Sequence, residues 1–274
     1  MMKKRIDSSL VIGYVILGLF VLFVLIGLFY EPYDGNYMNL SDKLATPSFK
    51  HFFGCDQYGR DIFVRVQYGL RNSLIIGLSS TFFGGMTGVI IGAVCGYFGG
   101  VIDAVIMRIV DVLFAIPSII LALLFVSLFN SNMFNVILAL SLAMIPSFTK
   151  MIRSEFHVIR KSDYVLASRM YGSSHLRIIF REILPNVYPI IINCMFIAFN
   201  NSILAEAGLS YLGVGLQPPA ASLGNMISQA QGYLATAPHY IIIVGVIMIV
   251  LLIGLGLVSE GGSWHSAYNR RFKN

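Results

Sequence analysis

Four charged residues stand within or at the end of apolar runs of this 274-residue chain, and their chemistry calls for explanation first. Asp103, Arg108 and Asp111 lie inside the run 101–129, and Glu206 directly follows the run 183–205. A charge in a membrane segment usually faces protein or water and often marks a functional path. Arg108 and Asp111 are three positions apart on one helical face, so they are expected to pair. All three residues of the run 101–129 fall in its first turns, which favours snorkelling or a structural ion pair. Glu206 could face a substrate path or anchor the loop after it by accepting hydrogen bonds, and the anchor is the preferred reading. Arg60 sits in Gly54-Cys55-Asp56-Gln57-Tyr58-Gly59-Arg60-Asp61, where glycine and Asp suit a turn. It is a candidate anion ligand, with a structural salt bridge preferred. The stretch 62–68 after it mixes apolar and polar positions, as a segment at a membrane interface does.

Enzymatic constellations are missing. The chain has no Gly-x4-Gly-Lys-[Ser/Thr] phosphate loop, no His-Glu-x-x-His and no Gly-x-Ser-x-Gly. Its histidines (51, 157, 175, 239 and 265) are scattered, and Cys55, Cys95 and Cys194 form no close pair. No catalytic residue, no metal site and no directly bound cofactor is expected.

The elements that carry these residues follow from composition. The chain is 57% hydrophobic and 12% charged. A soluble domain is about 45–50% apolar and about 25% charged. This is the balance of an integral membrane protein. The net charge of +6 lies in the gaps between apolar runs, which argues against nucleic acid as a partner. A spanning helix needs about 20 apolar residues, and six runs qualify: 10–29, 72–98, 101–129, 133–149, 183–205 and 239–258. The first follows Lys3-Lys4-Arg5 and has no small-x-small cleavage site, so it reads as a retained anchor. Pro117 and Pro146 should kink their helices. Lys and Arg count thirteen on one side of this topology against five on the other, which places both termini in the cytoplasm. The resulting plan is a cytoplasmic N-terminus (1–9), a first helix with an outer loop (10–71), a five-helix core (72–258) and a cytoplasmic tail (259–274).

Within the run 72–98, Ser80, Gly84, Gly88, Gly92 and Gly96, followed by Gly100, recur at every fourth position. Small residues on one face let another backbone approach closely. Ordinary packing is the preferred reading, and a sliding surface in a transport cycle is the alternative.

The segment 150–186 is too long and too basic for a simple connection. Asp163 could cap a helix, Ala167 and Ser168 leave room for a close neighbour, and Gly172 suits a turn. Ser173 or Ser174 could cap a second helix, and Pro185 suits the first turn of the next span. Two short helices joined at a glycine would form a lever on the membrane helices.

This segment resembles the cytoplasmic loop of ABC importer permeases, whose pattern is Glu-Ala-Ala-x3-Gly-x9-Ile-x-Leu-Pro. Ala167, Gly172, Leu184 and Pro185 match in register. Leu166 replaces Glu, Ser168 replaces the second Ala, and Glu182 replaces Ile. Tyr164 to Arg169 and Ile183-Leu184-Pro185-Asn186 look like the dipeptide/oligopeptide/nickel branch, as do Gly54 to Asp61, Gly96-Tyr97-Phe98-Gly99-Gly100 with Asp103, and Ile203 to Pro219. The similarity spans about residues 30–258. The tail, Gly261 to Arg271, departs from the branch's usual Gly-Asp-x-Leu-Arg-Asp-x-Leu-Asp-Pro-Arg.

The resemblance implies an all-α, six-span protein of the type I ABC importer permease kind, multi-pass in the plasma membrane of a bacterium. It implies a coupling loop at 150–182, with Leu166, Ala167, Ser168, Arg169, Gly172, Leu184 and Pro185 as the ATPase-coupling residues. Glu206 and Arg60 are the candidate pathway or gate residues. The implied partners are a homologous permease subunit, two ABC ATPase subunits that use the ATP, an extracytoplasmic solute-binding protein and the lipid bilayer. Short peptides are the expected cargo, with nickel or a metal chelate as the alternative. An ion-coupled secondary transporter would want inverted repeats and acids near the membrane midplane. Neither is evident here. A scaffold without transport is the remaining reading.

Overall fold

The computed structural model describes residues 8–129 and 131–271, with side chains as far as Ser259. The basic residues Lys3, Lys4, Arg5 and Lys273 and the side chains of the tail beyond Ser259 lie outside it, and with them the sequence-based placement of both termini. The described chain is helical: α1 Ser8–Phe29, a 3-10 turn Leu40–Asp42, α2 Ile62–Phe98, α3 Gly100–Ala115, α4 Ser118–Leu128 and α5 Met133–Ile159. Then come α6 Asp163–Met170, α7 His175–Arg177, a π-helical stretch Ile178–Ile183, α8 Leu184–Tyr211, α9 Leu223–Gln231 and α10 Pro238–Arg271. Five helical stretches are long and apolar enough to span a membrane, and the bent pair α3/α4 makes the sixth. This is an all-α multi-pass membrane protein.

α2 is the central rod, and the small-residue stripe is what lets α5 lie against it. A Cβ added at Gly84 would sit 2.6 Å from the Ser141 carbonyl oxygen, and one at Gly96 would sit 2.6 Å from that of Arg153. The Ser80 hydroxyl donates to the Ile137 carbonyl at 3.3 Å. From Ser80 to Gly96 the stripe meets α5 backbone, while Gly100 has open space around it. At one end of α2, Ile62, Val66 and Leu70 pack with Met226 of α9 and Tyr240 and Val244 of α10. At the other end, Tyr97 packs with Phe156, Val165 and Ile183.

Several elements differ from the sequence-based expectation. Residues 62–68, expected at a membrane interface, form the first two turns of α2 with most of their side chains buried in the protein. Asp61 starts that helix by accepting from the Val64 amide at 3.0 Å. Arg65 is fully buried, with its Nη1 3.3 Å from the Gly35 carbonyl oxygen and its Nε 3.6 Å from Asp56. Pro117 does more than kink its span: α3 and α4 meet at 89°. Ile116 is pushed into extended backbone, as a residue before proline is, and Pro117 itself lacks an amide to continue the helix. Pro146 is carried inside α5.

The expected Arg108–Asp111 pair does not form. Asp111 instead meets Lys150 of α5 at 2.8 Å, and Asp103 takes Arg153 in a two-point pair at 2.5 and 2.6 Å. The acids of α3 therefore clamp it to α5, a partner that local spacing could not reveal.

The loop before α2 is a compact polar knot. Gly59 has φ +71°, and a Cβ there would lie 1.7 Å from the Asn39 carbonyl oxygen, so only glycine fits the turn. His51 Nδ1 lies 2.8 Å from Asp61. Cys55 is fully buried within this knot. Burial, and then the charge of Asp61, push its thiol up to about 12.

Two outcomes follow. Gly88→Leu should destabilise the protein, because a Cβ there already falls 2.5 Å from the Phe148 Cβ. The expected loss is about 1–3 kcal/mol, read as a lower thermal midpoint in detergent. With Cys95 and Cys194 changed to alanine, Cys55 should resist maleimide at pH 8 and react fully once denatured. A raised thiol pKa keeps the neutral form at that pH, leaving a thiolate fraction of about 1 in 10,000.

Candidate functional site

Two features converge on α8: an exposed hairpin at one end and a cavity along its flank. The hairpin begins at Ser162, which takes the cap position that the sequence suggested for Asp163. The Ser162 hydroxyl donates to the Ile159 carbonyl at 2.7 Å, and Asp163 becomes the first helical residue. α6 is pinned by one buried side chain, Val165, which enters the cluster of Phe156, Ile178 and Ile183. Tyr164, Leu166, Met170 and Tyr171 stay exposed, the last two about nine-tenths so. An exposed apolar face of this kind suits a partner surface. Gly172 closes the turn with φ +76° and open space where a Cβ would go. Ser174 then caps the next helix by accepting from the Arg177 amide at 3.4 Å.

The second helix of the expected lever is not a separate piece. From His175 the chain stays helical to Tyr211 through the π stretch Ile178–Ile183. Pro185 therefore lies within a continuous rod rather than at the start of a new helix. A π turn relaxes the backbone just before a residue that can neither donate an amide nor tolerate the carbonyl four positions back.

Leu166, Ala167, Ser168, Arg169 and Gly172 come together in the hairpin. Leu184 and Pro185 stand apart from them at its foot, where Leu184 packs against the Val165 cluster.

The cavity, of about 240 Å³, lies between the start of α4, α5 and α8. Met144, Ser147, Phe148 and Met151 line it from α5, and Cys194, Ile197, Ala198 and Asn201 from α8. The α8 positions repeat at helical spacing, so one stripe of the rod faces the cavity. Sequence reasoning missed these residues, because a wall stripe of small and apolar side chains looks like any packing stripe.

At the opposite end from the hairpin, Glu206 is fully buried. It accepts from Ser73 of α2 at 2.9 Å and from Ser210 at 2.7 Å. Arg60 donates through Nε to Asp56 at 2.6 Å and through Nη2 to Gln229 of α9 at 3.2 Å. Arg60 and Gln229 also line a cleft of about 470 Å³ beside Ser228 and Gln217. These contacts make both residues ties between segments. Among the described residues, no group of three His, Cys, Asp or Glu side chains could hold a metal.

Residues 88–260 match the family of binding-protein-dependent transport system inner membrane components. The chain belongs to this family. It is 36% identical over 249 residues to the glutathione transport system permease protein GsiD of Pectobacterium atrosepticum, covering 89% of this chain and 83% of that one. It is 37% identical over 259 residues to GsiD of Salmonella typhimurium, covering 94% and 85%. The fold is similar to that of the methionine ABC transporter MetNI in an inward-facing conformation, with TM-score 0.59 and 22% identity over 73% of this chain and 94% of that one. The chain is thus a non-catalytic permease subunit of an ABC import system, with a type I importer fold. Family and fold match importers that combine paired permeases, ATPase subunits and a binding protein.

Two departures from the permease loop pattern touch each other. The Ser168 hydroxyl donates to the Glu182 carboxylate, and Ser173 Oγ lies 3.0 Å from Ser168 Oγ. Where the pattern has Ala and Ile, this permease has a hydrogen-bonded pair across the hairpin. The second Glu182 oxygen, Oε2, is buried without a partner among the described residues. Ser168→Ala should therefore cost about 1–3 kcal/mol by orphaning the carboxylate. Ser168→Ala/Glu182→Ile should recover most of that loss in thermal unfolding, and a simply additive double variant would contradict the coupling.

Proposed function

We propose that this permease forms half of a translocation path for short peptides and that α6 is where partner ATPases drive it. One observation carries the reading: the helix from His175 to Tyr211 joins the exposed hairpin to the wall of the cavity. Movement at the hairpin is thereby movement of Cys194, Ala198 and Asn201. A two-state element shared by two sites is the physical requirement for coupling them. The coupling residues are Leu166, Ala167, Ser168, Arg169 and Gly172 on the hairpin, with Leu184 and Pro185 transmitting at its foot.

The cavity wall is apolar, with a few neutral polar groups such as Ser147 and Asn201, which suits a small solute carrying amide groups. Relatives named for glutathione transport favour a peptide over nickel or a metal chelate. In this reading Glu206 and Arg60 hold the gate at the far end, Arg60 at its mouth and Glu206 behind it. The other half of the path is a homologous permease, two ATPase subunits supply the ATP hydrolysis, and a solute-binding protein delivers cargo from outside. The basic loop 150–181 points to a bacterial plasma membrane with this loop and both termini in the cytoplasm.

Gly172→Arg tests the reading. Open space surrounds the glycine, so the protein should still reach the membrane, but left-handed backbone and a bulky cation would spoil the docking turn. Uptake of a labelled tripeptide into vesicles holding the complete importer should fall to background. Normal uptake by the variant would overturn the proposed role of the hairpin.

A further inference from the structure

A third cavity, of about 470 Å³, opens beside the hairpin and is separate from the path wall. Its lining includes Tyr97 and Phe98 from the end of α2, Arg160 and Lys161 after α5, Arg169 of α6 and His175. The apolar run of α2 ends here, at Phe98, so the cavity adjoins the end of a helix long and apolar enough to span a membrane. The lining holds no carboxylate. Among the described residues none of Arg160, Lys161 and Arg169 is ion-paired, although the acids of α3 pair with Lys150 and Arg153 about two to three turns before Arg160.

The pocket is also built rather than incidental. Arg160 Nη1 donates to the Tyr97 carbonyl at 2.9 Å, which fixes its guanidinium across the end of α2. The Tyr97 hydroxyl lies 2.8 Å from His175 Nδ1, and Arg169 stacks over the Tyr97 ring at 5.7 Å. Tyr97 is buried and Phe98 is half exposed, so a polar cradle adjoins an apolar edge. Cations without an ion-pair partner among the described residues, beside an exposed aromatic at the end of a spanning helix, match a ligand with an anionic head and an apolar tail.

We propose that this pocket binds the phosphate group of an anionic phospholipid. Met170 and Tyr171, at the tip of the hairpin, are exposed and do not line the cavity, while Leu166 and Arg169 do. The lipid would thus brace the hairpin at Leu166 and Arg169, two of the proposed coupling residues, and leave Met170 and Tyr171 free for a partner.

The test uses the complete importer in nanodiscs of phosphatidylcholine with or without phosphatidylglycerol. Lipid kept through detergent extraction is counted by native mass spectrometry. The wild type should retain phosphatidylglycerol in clear preference to phosphatidylcholine. Lys161→Gln should weaken that retention about fivefold, and Lys161→Gln/Arg169→Gln further, at about one such factor per cation. A photoactivatable phosphatidylglycerol should label the wild type at peptides containing Tyr97–Phe98 or Arg160–Lys161, which needs no variant to fold. Equal retention of the two lipids, unchanged retention in the double variant, or labelling confined elsewhere overturns the proposal. Retention of inorganic phosphate by an importer that keeps no phosphatidylglycerol would assign the pocket to free phosphate and overturn it. Loss of the ATPase subunits on Lys161→Gln with lipid retention intact would assign it to a partner's carboxylate and overturn it likewise.

Discussion

Five small residues, Ser80 to Gly96, let the backbone of α2 lie directly on that of α5. In lipid there is no hydrophobic gain in bringing two apolar helices together, so close packing and interhelical hydrogen bonds must hold them. Around this contact the remaining parts take their places. α3 is held to α5 by Asp103–Arg153 and Asp111–Lys150. α8 crosses the same pair and leaves a cavity where its small side chains face α5. Were α2 and α5 further apart, the salt bridges from α3 would lose their reach and the cavity would lose its wall.

The hairpin shows how a pattern can change without its architecture changing. Ser168 and Glu182 each depart from the loop pattern of importer permeases, and singly each would be a fault: a polar group against an apolar neighbour. Together they satisfy one another across the turn. The contact also ties α6 to the helical rod that follows it, at a point about one turn before Pro185. Val165 gives that tie an apolar counterpart, the one buried side chain of α6.

Much of this was legible in the chain. Six apolar runs, the stripe at every fourth position and the turn at Gly172 all follow from spacing and residue type. Gly54 and Gly59 marked the turns of the loop that Asp56 and Arg60 lock. What escaped was non-local. The partner of Asp111 is Lys150, thirty-nine positions away, and the nearer Arg108 was the only candidate that local spacing offered. Residues 62–68 looked interfacial because Arg65 and Gln67 are polar, but those side chains are enclosed by Gly35, Asp56 and the end of α1. The size of the turn at Pro117 and the helical continuity across Pro185 depend on which backbone groups find other partners. Residue identity alone does not fix that.

The helix from His175 to Tyr211 runs for 37 residues. At about 1.5 Å per residue it is about 55 Å long, nearly twice the roughly 30 Å thickness of the hydrocarbon layer. Moved as one piece, a rod of that length amplifies angle into distance. Tilting it by about 5° about one end carries the other by about 5 Å, close to the width of a peptide backbone with its smallest side chains. A small rocking motion is therefore enough to open or close a passage, and no helix needs to unwind for it.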